Sequence, residues 1–136
     1  MESLGVFSSI SWLLLPTVMF GGYSLLNLLA HKTAWLTTER ARFFRAGHAH
    51  AGVLLVLSLS YYVYLAQTTF SEGLKITACL VLLLGILAQS GGFFLHMLTG
   101  APSAKFSAGN LVTILGAILL ALAVLFLVYG LLFAHR

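Results

Sequence analysis

His48 and His50 stand two apart in the stretch RAGHAHAG, Arg45 to Gly52, among small residues and at the start of a long apolar run. Neutral imidazole suits iron, copper and zinc, and axial imidazole is a standard means of holding haem iron. Two residues apart on a helix means about 200° of rotation, so the two rings cannot easily grip one metal ion while both are helical. They should point to opposite sides. His48 shares its face with Arg45 and Gly52, and His50 shares its own with Gly47, Leu54, Leu57 and Tyr61.

The elements that carry these rings follow from composition. The chain of 136 residues is 60% hydrophobic and 7% charged with a mean hydropathy of +1.04, far from the roughly 25% charged content of soluble domains. It reads as an all-α integral membrane protein. About 20 apolar residues cross a bilayer core as a helix, and four runs qualify. They are placed at about Val6 to His31, Phe43 to Gln67, Leu74 to Leu98 and Gly109 to Ala134. Residues 1–136 thus form a single transmembrane domain, an up-down-up-down four-helix bundle. The first run lacks the basic leader and small-residue cleavage site of a signal peptide and is expected to be retained.

Basic residues set the orientation, because short cytoplasmic loops are enriched in Lys and Arg. Lys32, Arg40, Arg42, Arg45 and Lys105 fall on one side, against Lys75 and Arg136 on the other. Both termini are therefore expected on the non-cytoplasmic side of the cell membrane. The net charge of +4 is spread around the loops and asks for lipid head groups rather than nucleic acid.

This topology gathers His31, His48, His50 and His96 in one layer with Asn110, while His135 lies opposite, beside Arg136. Ionisable groups within a span are costly and point to function by default. On the third run Gly85, Gln89, Gly92 and His96 recur at spacings of four, three and four, one face of a helix. Such a stripe offers a flat ligand a groove ending in a histidine. It equally offers another helix a close approach. On the first run Thr17, Gly21, Ser24, Asn27 or Leu28, and His31 share a side, and Pro16 removes one internal hydrogen bond and is expected to bend the helix. On the fourth run Gly109, Asn110, Thr113, Gly116 and Ala117 mark the inward face. For the Ser, Thr and Asn residues of both runs, interhelical hydrogen bonding is the favoured role.

The spans hold no Asp or Glu and the chain no Ser/His/Asp constellation. That argues against calcium or magnesium transport, di-iron carboxylate chemistry, carboxylate proton pumping and membrane hydrolysis. The one cysteine, Cys79, excludes an internal disulfide and reads as a small buried apolar residue.

The HAH pair in GHAHAG, with QSGGFFLH closing the third run, resembles histidine motifs of the haem-copper oxidase superfamily and of the NnrS-type haem and copper membrane proteins. The resemblance implies haem b, with His48 and His96 as axial ligands, and a redox or diatomic-gas role. It also implies a homo-oligomer, since catalytic oxidase subunits are built from three four-helix arcs. The multi-histidine copper motif of the later oxidase helices is missing, which makes oxygen reduction doubtful. In this reading Gly85, Gln89 and Gly92 line the haem, Arg42 and Arg45 take its carboxylates, and His50 or His31 adds a ligand or hydrogen bond. An electron-transfer partner or a quinone would complete it. Two other readings stand beside it. One is a copper or zinc binding or transport protein using His31, His48, His50 and His96, with Met97 pointing about 100° away from His96. The other is a non-enzymatic membrane assembly subunit.

Overall fold

The computed structural model describes residues 2–99 and 107–134. They form four helices: α1 (Glu2–Ala30), α2 (Thr38–Ala66), α3 (Glu72–Thr99) and α4 (Ala108–Phe133). Each is long and apolar enough to cross a membrane.

The apolar runs locate the helices, yet α1 begins four residues before Val6 and α2 five before Phe43. Hydropathy reports the part of a helix that lies in lipid, and the polar first turns are invisible to it. Thr37 caps α2, its hydroxyl accepting from the Arg40 amide, and Glu39 lies in the first turn, where a carboxylate suits the helix dipole. His48 therefore stands in the third turn of α2 and His50 in the fourth, rather than at its opening, and Glu39 and Glu72 lie in the first turns of α2 and α3. At the end of α1 the Thr33 amide bonds to the Leu28 carbonyl and the Lys32 amide to the Leu29 carbonyl. Lys32 itself has φ 47°, the left-handed cap position that glycine usually fills. α1 continues through Pro16 without a break.

Neighbouring helices run antiparallel and pack in chain order. Ser58 on α2 donates to Ser11 on α1 at 2.8 Å, Ser11 lies 3.2 Å from the Tyr62 hydroxyl, and Tyr61 donates to the Ala123 carbonyl of α4 at 2.9 Å. These buried bonds tie three helices in a medium that offers no water, each contributing about 0.6 to 2 kcal/mol. The core around them holds Leu55, Leu65, Cys79, Leu82 and Ile86. Cys79 is fully buried, in keeping with the apolar role read from its neighbours.

α3 and α4 are the tightest pair because small residues let their backbones meet. A Cβ at Gly116 would lie 2.6 Å from Gln89 Cα, and one at Gly92 would lie 2.6 Å from the Gly109 carbonyl oxygen. α1, by contrast, packs mainly on α2, touches α3 lightly and does not meet α4 among the described residues. The four helices form an open row curving over α2 and α3, rather than a closed bundle. An opening is left where α1 and α3 diverge above α2.

Candidate functional site

The four described histidines sort into distinct environments. His96 is sealed: it is buried, its ring stacks on Phe43 of α2 at 4.7 Å, and Nε2 lies 2.8 Å from Asn110 Oδ1 and 3.3 Å from Ser107 Oγ. An amide oxygen only accepts, so the Nε2–H of His96 donates to Asn110 and that nitrogen has no lone pair to offer. Gly109 makes the fit possible, since a Cβ there would lie 2.6 Å from the imidazole.

His50 is half-buried against Phe93 of α3, ring centroids 4.7 Å apart, and its Nδ1–H donates to the Ala46 carbonyl at 2.8 Å. His31 is exposed at the end of α1 and likewise donates through Nδ1 to Asn27, at 2.9 Å. Both keep Nε2 as a free lone pair, but each turns toward its own surroundings.

His48 differs from all three. It is half-buried and makes no hydrogen bond, ion pair or ring contact among the described residues. Its imidazole rests on the Gly21–Gly22 pair of α1: a Cβ at Gly22 would lie 3.0 Å from Nε2, and one at Gly21 3.6 Å from Nδ1. The pair of glycines is what lets a ring stand between α1 and α2.

On its open side His48 borders a groove of about 540 Å³. The floor is α2, with Phe44, His48, Ala51 and Leu55; one wall is α1, with Leu14, Thr17, Val18 and Gly21; the other is α3, from Leu80 to Phe94. At 1.5 Å per residue the α3 wall is about 21 Å long. His48 lies at the Phe44 and Phe94 end and leucines fill the other. The lining is apolar apart from His48, Thr17 and Ser90. The Thr17 hydroxyl is spent on the Leu14 carbonyl at 2.6 Å, whereas the Ser90 hydroxyl, in a residue only 6% exposed, has no partner.

The division of faces read from the HAH pair is visible here. The Gly52 position meets Val18 of α1 on the His48 side, and Gly47 meets Phe93 and Phe94 of α3 on the His50 side. His48 and His96 do not converge on one centre: the first is held against α1, the second between α2, α3 and α4. Among the described residues no three of His, Cys, Asp and Glu come together to hold a metal ion.

No protein-family model, curated protein or solved structure matches this chain.

The stripe on α3 meets α4 where a flat ligand was expected. Gly85 faces Leu120, Gln89 faces Gly116 and Gly92 faces Gly109 and Thr113, so no space for a porphyrin plane remains between these helices. Gln89 Oε1 and Thr113 Oγ1 are buried there without partners. Arg42 pairs with Glu39 at 3.2 Å on the exposed first turns of α2, and Arg40 lies over the Trp35 ring at 4.7 Å. Arg45 is exposed and unpaired among the described residues. Lys105, His135 and Arg136 lie outside the described residues.

Sequence reasoning singled out His48 and missed the walls of its groove. Leu80, Leu84, Leu87 and Phe94 are ordinary apolar residues on an apolar helix, with no polar face to betray which side is unfilled. The doublet Gly21–Gly22 was the available signal.

Proposed function

We propose that this chain is a multi-pass cell-membrane protein whose role is to hold a hydrophobic small molecule, taken up laterally from the bilayer, with His48 engaging the molecule's polar part. One observation carries the reading: an imidazole free of hydrogen bonds at the head of a long apolar groove. A polar group in the hydrocarbon region is costly when it has no partner. A ligand that supplies the partner is held by that saving. The membrane topology that fits is up-down-up-down with both termini outside, which sets the His48 end of the groove near the cytoplasmic face and its leucine end toward the bilayer centre.

Haem b, the cofactor implied by the histidine motifs, is offered one axial imidazole by His48, whereas Arg45 does not line the groove. The pairing of His48 with His96 as two axial ligands is not supported, because His48 is held against α1 while His96 is stacked on Phe43 and bonded to Asn110 between α2, α3 and α4. A copper or zinc centre drawing on His31, His48, His50 and His96 has less support still, since the four stand in separate environments. The groove is open along one side of the row of helices, so occupancy does not require a second copy of the chain.

The test is to purify the full chain in mild detergent, record oxidised and dithionite-reduced spectra, and extract the same sample with organic solvent for chromatography. The reading expects a bound hydrophobic compound at near-equimolar amount in the native protein and a clear loss of it in His48→Leu. Equal recovery from both would contradict it.

A further inference from the structure

Resting on that reading, we propose that the groove is a site for a neutral para-quinone carrying a hydrocarbon chain, its ring held at His48 and Ser90 and its chain lying along the leucines of α3. Four features of the groove select this class.

The first is charge. No Lys, Arg, Asp or Glu lines the groove, so a phosphate or carboxylate head would enter a medium of low dielectric with no counter-ion. The head must be neutral.

The second is the pair of polar atoms. His48 as a neutral imidazole carries one N–H donor, and the Ser90 hydroxyl is a second donor without a partner in a residue 94% buried. Phe94, one turn from Ser90 on α3, lies against Gly47, the neighbour of His48 on α2. The two groups border the same groove from α2 and α3, with Ser90 one helical turn from Phe94 along its wall. A para-quinone presents two carbonyl acceptors on opposite sides of one ring, one for each donor. An alcohol or a sterol presents one polar group and would leave a donor unmet.

The third is the surface around the head. Phe44 and Phe94 pack edge to face, centroids 5.7 Å apart and 80° between planes, and both border the groove beside His48. Aromatic rings stack favourably with a flat ring. Gly91, also in the wall, has nothing within 4 Å of where a Cβ would stand, which leaves width for a ring at the level of Ser90.

The fourth is length. From Phe94 the groove continues for about 21 Å to Leu80, far longer than a ring needs. Thr17, the remaining polar group, is already satisfied, so beyond Ser90 nothing polar is left for the ligand to meet.

The experiment uses the full chain in phosphatidylcholine nanodiscs with histidine ring nitrogens labelled by ¹⁵N. Decylubiquinone, the same quinone ring without its chain, dodecanol and haemin are titrated in turn. Decylubiquinone is expected to saturate at one per chain and to shift the His48 resonances. His48→Leu should weaken it about tenfold and Ser90→Ala about threefold, the worth of one neutral hydrogen bond each. Gly91→Leu, which places a side chain in open space and so leaves the fold intact, should abolish binding of both quinones. Leu80→Trp should weaken decylubiquinone and leave the chain-free ring unchanged.

Dodecanol competing as well as decylubiquinone, or Ser90→Ala having no effect, would overturn the quinone assignment. Haemin binding at His48 with no response to decylubiquinone would also overturn it, while leaving the groove as a ligand site. If no compound moves the His48 resonances, both the assignment and the proposed role of the groove fall together.

Discussion

His96 and His48 come to one layer of the molecule from adjacent helices and meet opposite fates. His96 is enclosed by three helices, stacked on Phe43 and bonded to Asn110. His48 rests on two glycines and opens on an apolar groove. Glycine serves both rings, in different ways. Gly109 lets α4 close over His96, and its neighbours Gly92 and Gly116 draw the backbones together. Gly21 and Gly22 make room for the His48 ring in a place where α1 then leans away from α3. An imidazole in a membrane protein is paired either by the fold or by something the fold admits, and the two histidines illustrate each case.

The sharpest break in this comparison lies on the His96 side. Gly116→Leu would push a side chain into the Ala88–Gln89 backbone of α3, which cannot yield as a flexible side chain would. A loss of more than about 3 kcal/mol is expected in SDS-titration unfolding. Gly5→Leu, where a Cβ meets nothing within 4 Å, is the control and should change little. His96→Ala comes next, at about 1 to 3 kcal/mol, because it removes a stacked ring and a buried hydrogen bond. Ligand content of the groove should be unchanged, a readout that separates a structural histidine from a binding one.

His48→Leu reverses that pattern. Unfolding should shift by less than about 0.5 kcal/mol, since no hydrogen bond is lost, while bound ligand falls about tenfold by extraction and chromatography. Gly22→Ala is subtler: its methyl would sit 3.0 Å from His48 Nε2, tilting the ring by a few tenths of an ångström. Affinity for decylubiquinone should drop two- to threefold with stability nearly unchanged. Smallest of all, Arg42→Gln removes an exposed i,i+3 pair with Glu39 and should cost less than about 0.5 kcal/mol and no ligand.

Much of the fold was legible because lipid imposes a blunt rule: a spanning helix is an apolar run of sufficient length. The ends of α1 and α2 were not, since Glu2 to Gly5 extend α1 ahead of its apolar run and Thr38 to Arg42 follow the Thr37 cap rather than hydropathy. The opposed faces of His48 and His50 followed from helical rotation alone. The fate of the Gly85, Gln89, Gly92 and His96 stripe did not, because a row of small residues is the same signal whether a cofactor or α4 lies on it. Distinguishing the two requires knowing which helix is the neighbour, and that depends on contacts such as Gly92 with Gly109 and Gly116 with Gln89. Ser90, one residue from Gln89 and on another face, became visible only once the divergence of α1 from α3 was known.

The most direct measurement is the ring ¹⁵N spectrum of His48 and His96 in nanodiscs, taken with and without decylubiquinone. The account predicts that His96 keeps a protonated, hydrogen-bonded Nε2 that ignores the ligand, while both His48 nitrogens move as the groove fills. A His96 that responds to the ligand, together with a His48 that does not, would contradict it.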